Sequence, residues 1–417
     1  MYKPVLDETS VISVIGSGNM GFSLAVGFSK FFKVLFYNSS QEKPDPVCSD
    51  ESVIITHYPT SLEQASIFII HIPIPCHYDY SPNMESLRSV LRIIRHYIRP
   101  GSFVILESTT FPGTIEKIVI PELSLSDYDP GYDFGVAYSP EMEYPILDPA
   151  LPKGQKIVGG YTPDCTLFAA QLYKKIFPEV MAVKDCMTAE TAQNLLGTFA
   201  SVNTALVNEM AIFCEGVGIS IWDVISAAAA KSHGYSVFYP GSGDFHDSIP
   251  KDPKYLMRSY SYYRMRPSFF QRAAEMNEYM SKYVFELISI EFMKISKSLN
   301  NSVITFIGLE NNQIDPAFSS SSSFSVIERI ANSGAEVRYY DPNIPEITIE
   351  TGTIHSEKSV QDSVKNSDCM VFLYENEFIM ELDIKELAGY MQTPVCIDLK
   401  NLFNPCEGVI YRGLGKG

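Results

Sequence analysis

The chain has 417 residues, 46% of them hydrophobic and 19% charged, which calls for two or three domains with large buried cores and excludes a disordered chain. Its formal charge of −17 offers no basic block to neutralise a phosphate backbone, so general nucleic-acid binding is excluded. Eight cysteines without a CxxC pair fit reduced thiols in a cytosolic protein better than a disulfide framework or a zinc site, and no metal site is visible.

Near the start, the β-branched run Val11-Ile-Ser-Val-Ile stops at Gly16-Ser-Gly18-Asn19-Met20-Gly21 and continues into the apolar stretch Phe22–Phe28. The pattern reads as strand, turn, helix. Gly16 permits the tight turn, Gly18 lets the backbone approach a pyrophosphate, and Gly21 lets the helix pack close, with the anion at the helix N-terminus. A second strand, Lys33–Tyr37, follows at βαβ distance, so a Rossmann-type nucleotide site is expected. The acidic residue that ordinarily closes this strand and selects NAD falls at Asn38, followed by Ser39. Asn binds ribose hydroxyls less strongly and does not repel a 2′-phosphate, which leaves NADP open beside NAD.

A helix-like piece, Ser61–Ala65, precedes the apolar strand Ser66–Ile72, which leaves the sheet at Pro73-Ile-Pro75 because proline cannot donate to the ladder. Helical spacing from Met84 to Ile98 leads through Pro100-Gly101 into the strand Phe103–Ser108. This alternation predicts a doubly wound parallel sheet. Two of its strands carry polar groups to the edge where ligands of open α/β sheets bind: Ser108-Thr109-Thr110 with Pro112-Gly113-Thr114, and Ser139-Pro140-Glu141 after the strand Phe134–Tyr138. By spacing alone, Thr109 reads sooner as a helix cap and Glu141 as a surface acid.

The longest helix is predicted from Ala189 to Val217, with Leu195, Leu196, Phe199, Val202, Leu206, Met210 and Phe213 near helical spacing. Glu190 suits its N-terminus, and Gly216 and Gly218 suit its end. At about 28 residues it would span roughly 40 Å, more than one domain needs, so it is expected to link domains and pair with a second subunit. Another long helix, Phe269–Lys297, follows a loop rich in Gly, Tyr and Pro between Gly234 and Pro253.

The last third starts again with a strand, Val303–Gly308. The serines at 319–323 read as an ordered loop or helix start, before a helix at Phe324–Ser333 and a strand at Ala335–Tyr340. Strands Asp368–Tyr374 and Pro394–Asp398 complete a second, smaller α/β domain. The expected division is a dinucleotide-binding domain over 1–185, a central helical domain over 186–298 and a C-terminal domain over 299–417. With no cleavable leader and no uninterrupted apolar run near 18 residues, a cytoplasmic protein without membrane insertion is expected.

In this order the motifs resemble the UDP-glucose/GDP-mannose dehydrogenase family from end to end. The pieces are the glycine turn, Pro73-Ile-Pro75, Glu107-Ser-Thr-Thr-Phe-Pro-Gly-Thr114, Ser139-Pro-Glu141, Ala189-Glu190, Asn208-Glu209, Ile249-Pro-Lys-Asp-Pro253, Tyr340-Asp341-Pro342, Asp398-Leu-Lys-Asn401 and Tyr411-Arg-Gly-Leu-Gly. The resemblance implies an N-terminal Rossmann NAD-binding domain, a central long-helix dimerisation segment and a C-terminal Rossmann-like domain for the sugar nucleotide. It also implies oxidation of a sugar alcohol to a carboxylate, through a cysteine thiohemiacetal and thioester, with two NAD molecules reduced and with surface polysaccharide synthesis as the setting.

Carried over by motif, the dinucleotide is expected against Gly16, Gly18, Asn19, Met20, Gly21, Asn38, Ser39, Pro73 and Thr109. The sugar nucleotide is expected against Glu141, Tyr239, Gly241 and Lys251. Of the catalytic set, Thr109, Glu141 and Asp252 are present, whereas the cysteine position is Ser248, the lysine position Gln193 and its partner asparagine position Gly197. The family's Lys and Arg grips in the third domain are replaced by Glu310-Asn-Asn-Gln and Ile314-Asp-Pro-Ala-Phe-Ser.

A serine hydroxyl is far less acidic than a thiol, so at most a two-electron oxidation is expected. The alternative is a catalytically inactive homologue that acts as a cofactor-binding or regulatory subunit. A hydroxyacid-type reductase, which Gly18-Asn-Met-Gly21 also suits, is opposed by the C-terminal α/β domain.

Overall fold

The computed structural model describes residues 9–16, 19–38, 52–74, 82–141, 155–231, 234–243, 256, 268–309 and 322–417. Two compact units divide the chain. The first takes Met1–Leu196 with Lys254–Arg266, and the second takes Gly197–Pro253 with Pro267–Gly417.

Unit 1 is built on an eight-stranded sheet ordered β3-β2-β1-β4-β5-β6-β7-β8. Its strands are β1 (Val11–Gly16), β2 (Lys33–Tyr37), β3 (Val53–Thr56), β4 (Ile67–His71), β5 (Phe103–Leu106), β6 (Gly135–Tyr138), β7 (Lys156–Gly160) and β8 (Val180–Ala182). Alternate side chains feed opposite faces, as the strand period of two requires. Ile12, Val14, Phe36, Ile69 and Ile105 join α1 (Asn19–Ser29) and α4 (Pro163–Tyr173) in one core. Ile15, Phe68, Ile70, Val104 and Leu106 join α2 (Glu85–Ile94) and the short α3 (Ile120–Leu123) in the other. In α2 the buried residues Leu87, Val90, Leu91 and Ile94 recur at the spacing of one helix face.

The doubly wound sheet is present, with one departure from an all-parallel expectation. Strand β7 runs antiparallel to β6, and β8 then pairs parallel to β7 with α4 as the crossover.

The long helix α5 runs Cys186–Gly216. It starts three residues before the expected Ala189 because Asp185 caps it, accepting from the backbone and hydroxyl of Thr188 at 2.8 and 2.7 Å. Glu190, expected to serve this N-terminus, is instead fully buried and turned to another loop.

Unit 2 holds α6 (Ile221–Lys231), α7 (Phe269–Lys294) and a parallel sheet ordered β10-β9-β13-β14-β15. These strands are β9 (Val303–Ile307), β10 (Glu336–Tyr340), β13 (Cys369–Phe372), β14 (Val395–Asp398) and β15 (Ile410–Gly413); a hairpin, β11 (Glu346–Ile349) and β12 (Gly352–His355), stands apart. One sheet face packs on α7 and α8 (Ser322–Asn332) through Val284, Leu287, Ile288, Val326, Ile327 and Ile330. Helix α7 ends three residues short of the expected Lys297, where Ser296 takes φ +57° and Lys297 N bonds back to Phe292 O at 2.9 Å. Among the described residues no helix is long and apolar enough to cross a membrane.

Candidate functional site

In unit 1, β1 lies between β2 and β4, so the winding of the sheet reverses at the β1/β4 boundary. Outside the carboxyl ends of those two strands is where an open α/β sheet receives its ligand. Gly16 ends β1 directly opposite His71, which ends β4. A Cβ on Gly16 would lie 2.2 Å from the His71 carbonyl oxygen, so only glycine lets the strands finish this close together.

Asn19 opens α1, Met20 is half-buried, and a Cβ on Gly21 would sit 3.5 Å from Nδ1 of His71. The first turn of α1 has no acidic side chain, so its N-terminal dipole is left for an incoming anion. This is the arrangement a dinucleotide pyrophosphate requires. Asn38 is buried beyond β2, its N–H donating to Thr56 O at 3.1 Å and its carbonyl accepting from His57 Nδ1 at 2.8 Å. Pro73 is exposed past β4, next to Ile72, whose N–H donates to Ser108 Oγ at 2.9 Å.

The two residues that spacing alone left undecided meet at this edge. Thr109 Oγ1 donates to Glu141 Oε2 at 3.1 Å, and the other carboxylate oxygen lies 3.2 Å from His71 Nε2. The second contact is an attraction of charges without hydrogen-bond alignment. Burial opposes charge on both partners, yet it is outweighed. Glu141, with Glu107 adding to it, lifts the imidazole above its ordinary range. His71, Thr109 and Lys156 hold the Glu141 carboxyl below its ordinary range.

Behind this edge Lys156 Nζ, wholly buried, pairs with Glu107 at 2.9 Å and donates to Pro140 O at 2.7 Å. Tyr173 OH donates to the same Glu107 oxygen, and the Tyr173 ring lies 5.0 Å from the ammonium. Burial pulls the lysine pKa down, with Glu107 and Glu141 opposing it, and burial with Glu107 pushes the Tyr173 phenol well up. The network ties the segment at Ser108–Thr109 to that at Pro140–Glu141, so the Thr109–Glu141 contact is set from below.

Helix α5 fixes the loop beyond Thr109. Both Glu190 oxygens accept backbone N–H groups, from Gly113 at 2.6 Å and Ile115 at 2.8 Å, and Gly113 has φ +94°. Asn194 Nδ2 donates to Thr110 O at 2.7 Å. Burial pushes the Glu190 carboxyl up to about 8 despite those two bonds. Gln193 is half-buried on this helix and Gly197 buried four residues on. Burial pushes the thiols of Cys186, Cys369 and Cys396 well above the ordinary thiol range, so these three offer no replacement nucleophile. Gly18, Ser39, Ser248, Lys251, Asp252 and the segment Glu310–Ser319 lie outside the described residues.

Unit 2 holds a second polar assembly. Tyr239 stacks on Trp222 with ring centroids 5.4 Å apart. Gly241 N donates to Asn208 Oδ1 at 3.0 Å, Asn208 Nδ2 donates to Asn277 Oδ1 at 3.1 Å, and Asn277 Nδ2 donates to Ser201 O at 3.0 Å. The hydroxyls of Ser242 and Ser323 are 2.7 Å apart, and Ser323 donates to Tyr374 OH at 3.1 Å. The loop carrying Tyr239 and Gly241 is thereby joined to the start of α8 and to the residues just past β13. This is the β9/β13 boundary, where the winding of the second sheet reverses. Lys400, just past β14, holds its ammonium 5.6 Å from the Tyr374 ring. Among the described residues no group of His, Cys, Asp and Glu is arranged to hold a metal ion.

Sequence reasoning missed His71, Lys156, Tyr173, Asn277 and Tyr374. His71 had a signal, being a basic residue at the carboxyl end of an apolar strand.

Two α/β units, each with polar groups at its switch point and the first with a glycine turn, define a dinucleotide-dependent oxidoreductase architecture with a second nucleotide-binding-like domain. The chain matches three models of the UDP-glucose/GDP-mannose dehydrogenase family. The NAD binding domain matches over residues 45–177, the central domain over 187–279 and the UDP binding domain over 316–405. The UDP-N-acetyl-D-mannosamine dehydrogenase of Pyrococcus horikoshii is 26% identical, over 97% of this chain and 99% of that protein. The enzyme of the same name from Methanococcus aeolicus is 29% identical over 83% and 76%. The solved structure of the P. horikoshii enzyme superposes with a TM-score of 0.86 at 25% identity, covering 98% and 99% of the two chains. The chain belongs to the UDP-glucose/GDP-mannose dehydrogenase family, whose members are NAD-dependent nucleotide-sugar dehydrogenases.

Proposed function

We propose that this protein binds NAD at the β1/β4 crevice and a UDP-sugar of the N-acetylhexosamine class at the loop around Gly241, and that its chemistry stops after one two-electron oxidation. The observation that carries the limit is the sequence at three positions: Ser248, Gln193 and Gly197 stand where the family pattern has Cys, Lys and Asn. The sugar class rests on the relatives named above, two of which act on UDP-N-acetyl-D-mannosamine.

NAD, when bound, accepts a hydride from the alcohol carbon. The chain's part is to hold both ligands and to manage the proton. The N-terminus of α1 would hold the pyrophosphate, and Asn38 would take the ribose hydroxyls without excluding a 2′-phosphate. Glu141, ionised and aimed by Thr109, is the base for the hydroxyl proton. A second oxidation would require covalent capture of the aldehyde. A serine hydroxyl, as at position 248, is a far poorer nucleophile than a thiolate, and Gln193 supplies no charge to an oxyanion. The exposed residues Leu195, Phe199, Leu206 and Phe213 along α5 support pairing of two copies through this helix.

The test is stoichiometry. Purified protein with UDP-N-acetylmannosamine and excess NAD should release one NADH per sugar, with an aldehyde trapped by hydroxylamine. Two NADH per sugar would refute the two-electron limit. No NADH, with both ligands still binding, would establish the inactive binding subunit instead. Fluorescence of Trp222, the one tryptophan in the chain, stacked on Tyr239, reports sugar-nucleotide binding directly.

A further inference from the structure

Under the glycine turn lies a basic group that the mechanism above has not used. His71 is 7% exposed, lies across from Gly16 in the sheet, and has Gly21 at its Nδ1 side and Glu141 at its Nε2 side. It therefore stands between the dinucleotide turn and the proposed base. The charged groups that act on it are Glu141 from beyond β6, Glu107 from beyond β5 and Lys156 from β7. Neither β1 nor the described part of α1 contributes a titratable side chain. Lys156 is already committed to Glu107, so the charge balance at the crevice turns on His71 and Glu141.

The two states of the bound dinucleotide differ by one positive charge, carried on the nicotinamide of the oxidised form. A protonated His71 beside ionised Glu141 makes the crevice neutral at that pair, and a neutral His71 leaves one uncompensated carboxylate. We propose that His71 is a positioning residue of the dinucleotide crevice, and that its proton sets the preference between oxidised and reduced dinucleotide. Protonated, the pair tolerates NADH. Once the proton is lost, the bare carboxylate attracts the cationic nicotinamide and NAD⁺ is favoured. Because burial, with Lys156, pulls the imidazole down and Glu141, with Glu107, prevails over both, the changeover falls above the ordinary imidazole range. The inference rests on the reading of the β1/β4 crevice as an NAD site.

Calorimetric titration of the full-length protein with NAD⁺ and with NADH, each between pH 5.5 and 9, tests it without reference to turnover. The ratio of the NADH to the NAD⁺ dissociation constant should rise roughly five- to tenfold across the range, the order expected of one uncompensated charge acting over several ångströms at intermediate dielectric. In His71→Gln the ratio should be independent of pH and equal to the high-pH value of the unaltered protein, because glutamine fills similar space without the charge. A flat ratio in the unaltered protein, or a pH-dependent ratio retained in His71→Gln, overturns the inference while leaving NAD binding intact. If neither dinucleotide binds at any pH, the functional reading fails and this inference fails with it.

Discussion

The two units reach the same end, a polar loop fixed at the switch point of a parallel sheet, by different chemistry. In unit 1 the supports are titratable: the pairs Lys156 with Glu107 and His71 with Glu141, and the carboxyl of Glu190 on the backbone of Gly113 and Ile115. In unit 2 they are neutral amides and hydroxyls: Asn208, Asn277 and Ser201 behind Gly241, and Ser323 and Tyr374 beside Ser242. Titratable supports can respond to protons and to the charge of a ligand, whereas neutral amides and hydroxyls can only be satisfied or broken. Under the function proposed above, the site for hydride and proton exchange is held by the first kind and the site for the sugar nucleotide by the second.

The largest effect should come from breaking a charged support. Lys156→Met removes the partner of a wholly buried Glu107, takes the ammonium from beside the Tyr173 ring and leaves the Pro140 carbonyl without that donor. Removing one member of a buried pair typically costs about 3–5 kcal/mol, because the remaining charge is stranded. Chemical denaturation should show a loss of that order, and the double variant Lys156→Met with Glu107→Gln should recover part of it. A loss under about 1 kcal/mol for the single change would mean that water reaches Glu107 and that the charged support is not a support.

The neutral support should fail more gently. Asn277→Leu leaves Asn208 Nδ2 and Ser201 without their partner, a cost of about 1–3 kcal/mol for buried groups left unsatisfied. Its sharper consequence is local. Asn208 is then free to rotate away from Gly241, so sugar-nucleotide titrations followed by Trp222 fluorescence should weaken while NAD affinity, measured by calorimetry, stays the same. Equal loss of both affinities would erase the division of labour between the units.

How much of this the sequence disclosed follows from what each feature depends on. Strands β1, β4 and β9 announce themselves because both sheet faces are buried, so their residues are nearly all apolar, with Ser13, His71 and Thr305 as the polar exceptions. The glycine turn is equally legible, since backbone closeness at Gly16 admits no side chain. Lys156 was not, because its meaning lies in Glu107 and Tyr173, which are distant in sequence. Likewise Glu190 looked like an ordinary helix-start acid, and only the fold turns it onto the loop at Gly113. Thr109 and Glu141 were ambiguous for the same reason: nothing in their spacing says that they meet.

The last effect concerns Glu190, and it separates the units by pH alone. Its carboxyl is pushed from 4.5 up to about 8 in the folded chain, so between those values the folded state holds a proton that the unfolded state has lost. Stability from this group is therefore complete below 4.5 and declines as pH rises toward about 8, with a slope of at most about 1.4 kcal/mol per pH unit. The His71 contribution also declines as pH rises through its raised range, whereas that of Glu141 is lost only in acid, so the variant Glu190→Gln is needed to isolate the one carboxyl. Urea unfolding at pH 5.5, 6.5 and 7.5 should give a flatter pH dependence for Glu190→Gln than for the unaltered protein. Asn277→Leu, which removes no titratable group, should shift the whole curve without changing its slope. Parallel slopes for the unaltered protein and Glu190→Gln would show that Glu190 is ionised throughout, with its two backbone bonds outweighing its burial, and the first unit's supports would then be less responsive to protons than their charges suggest.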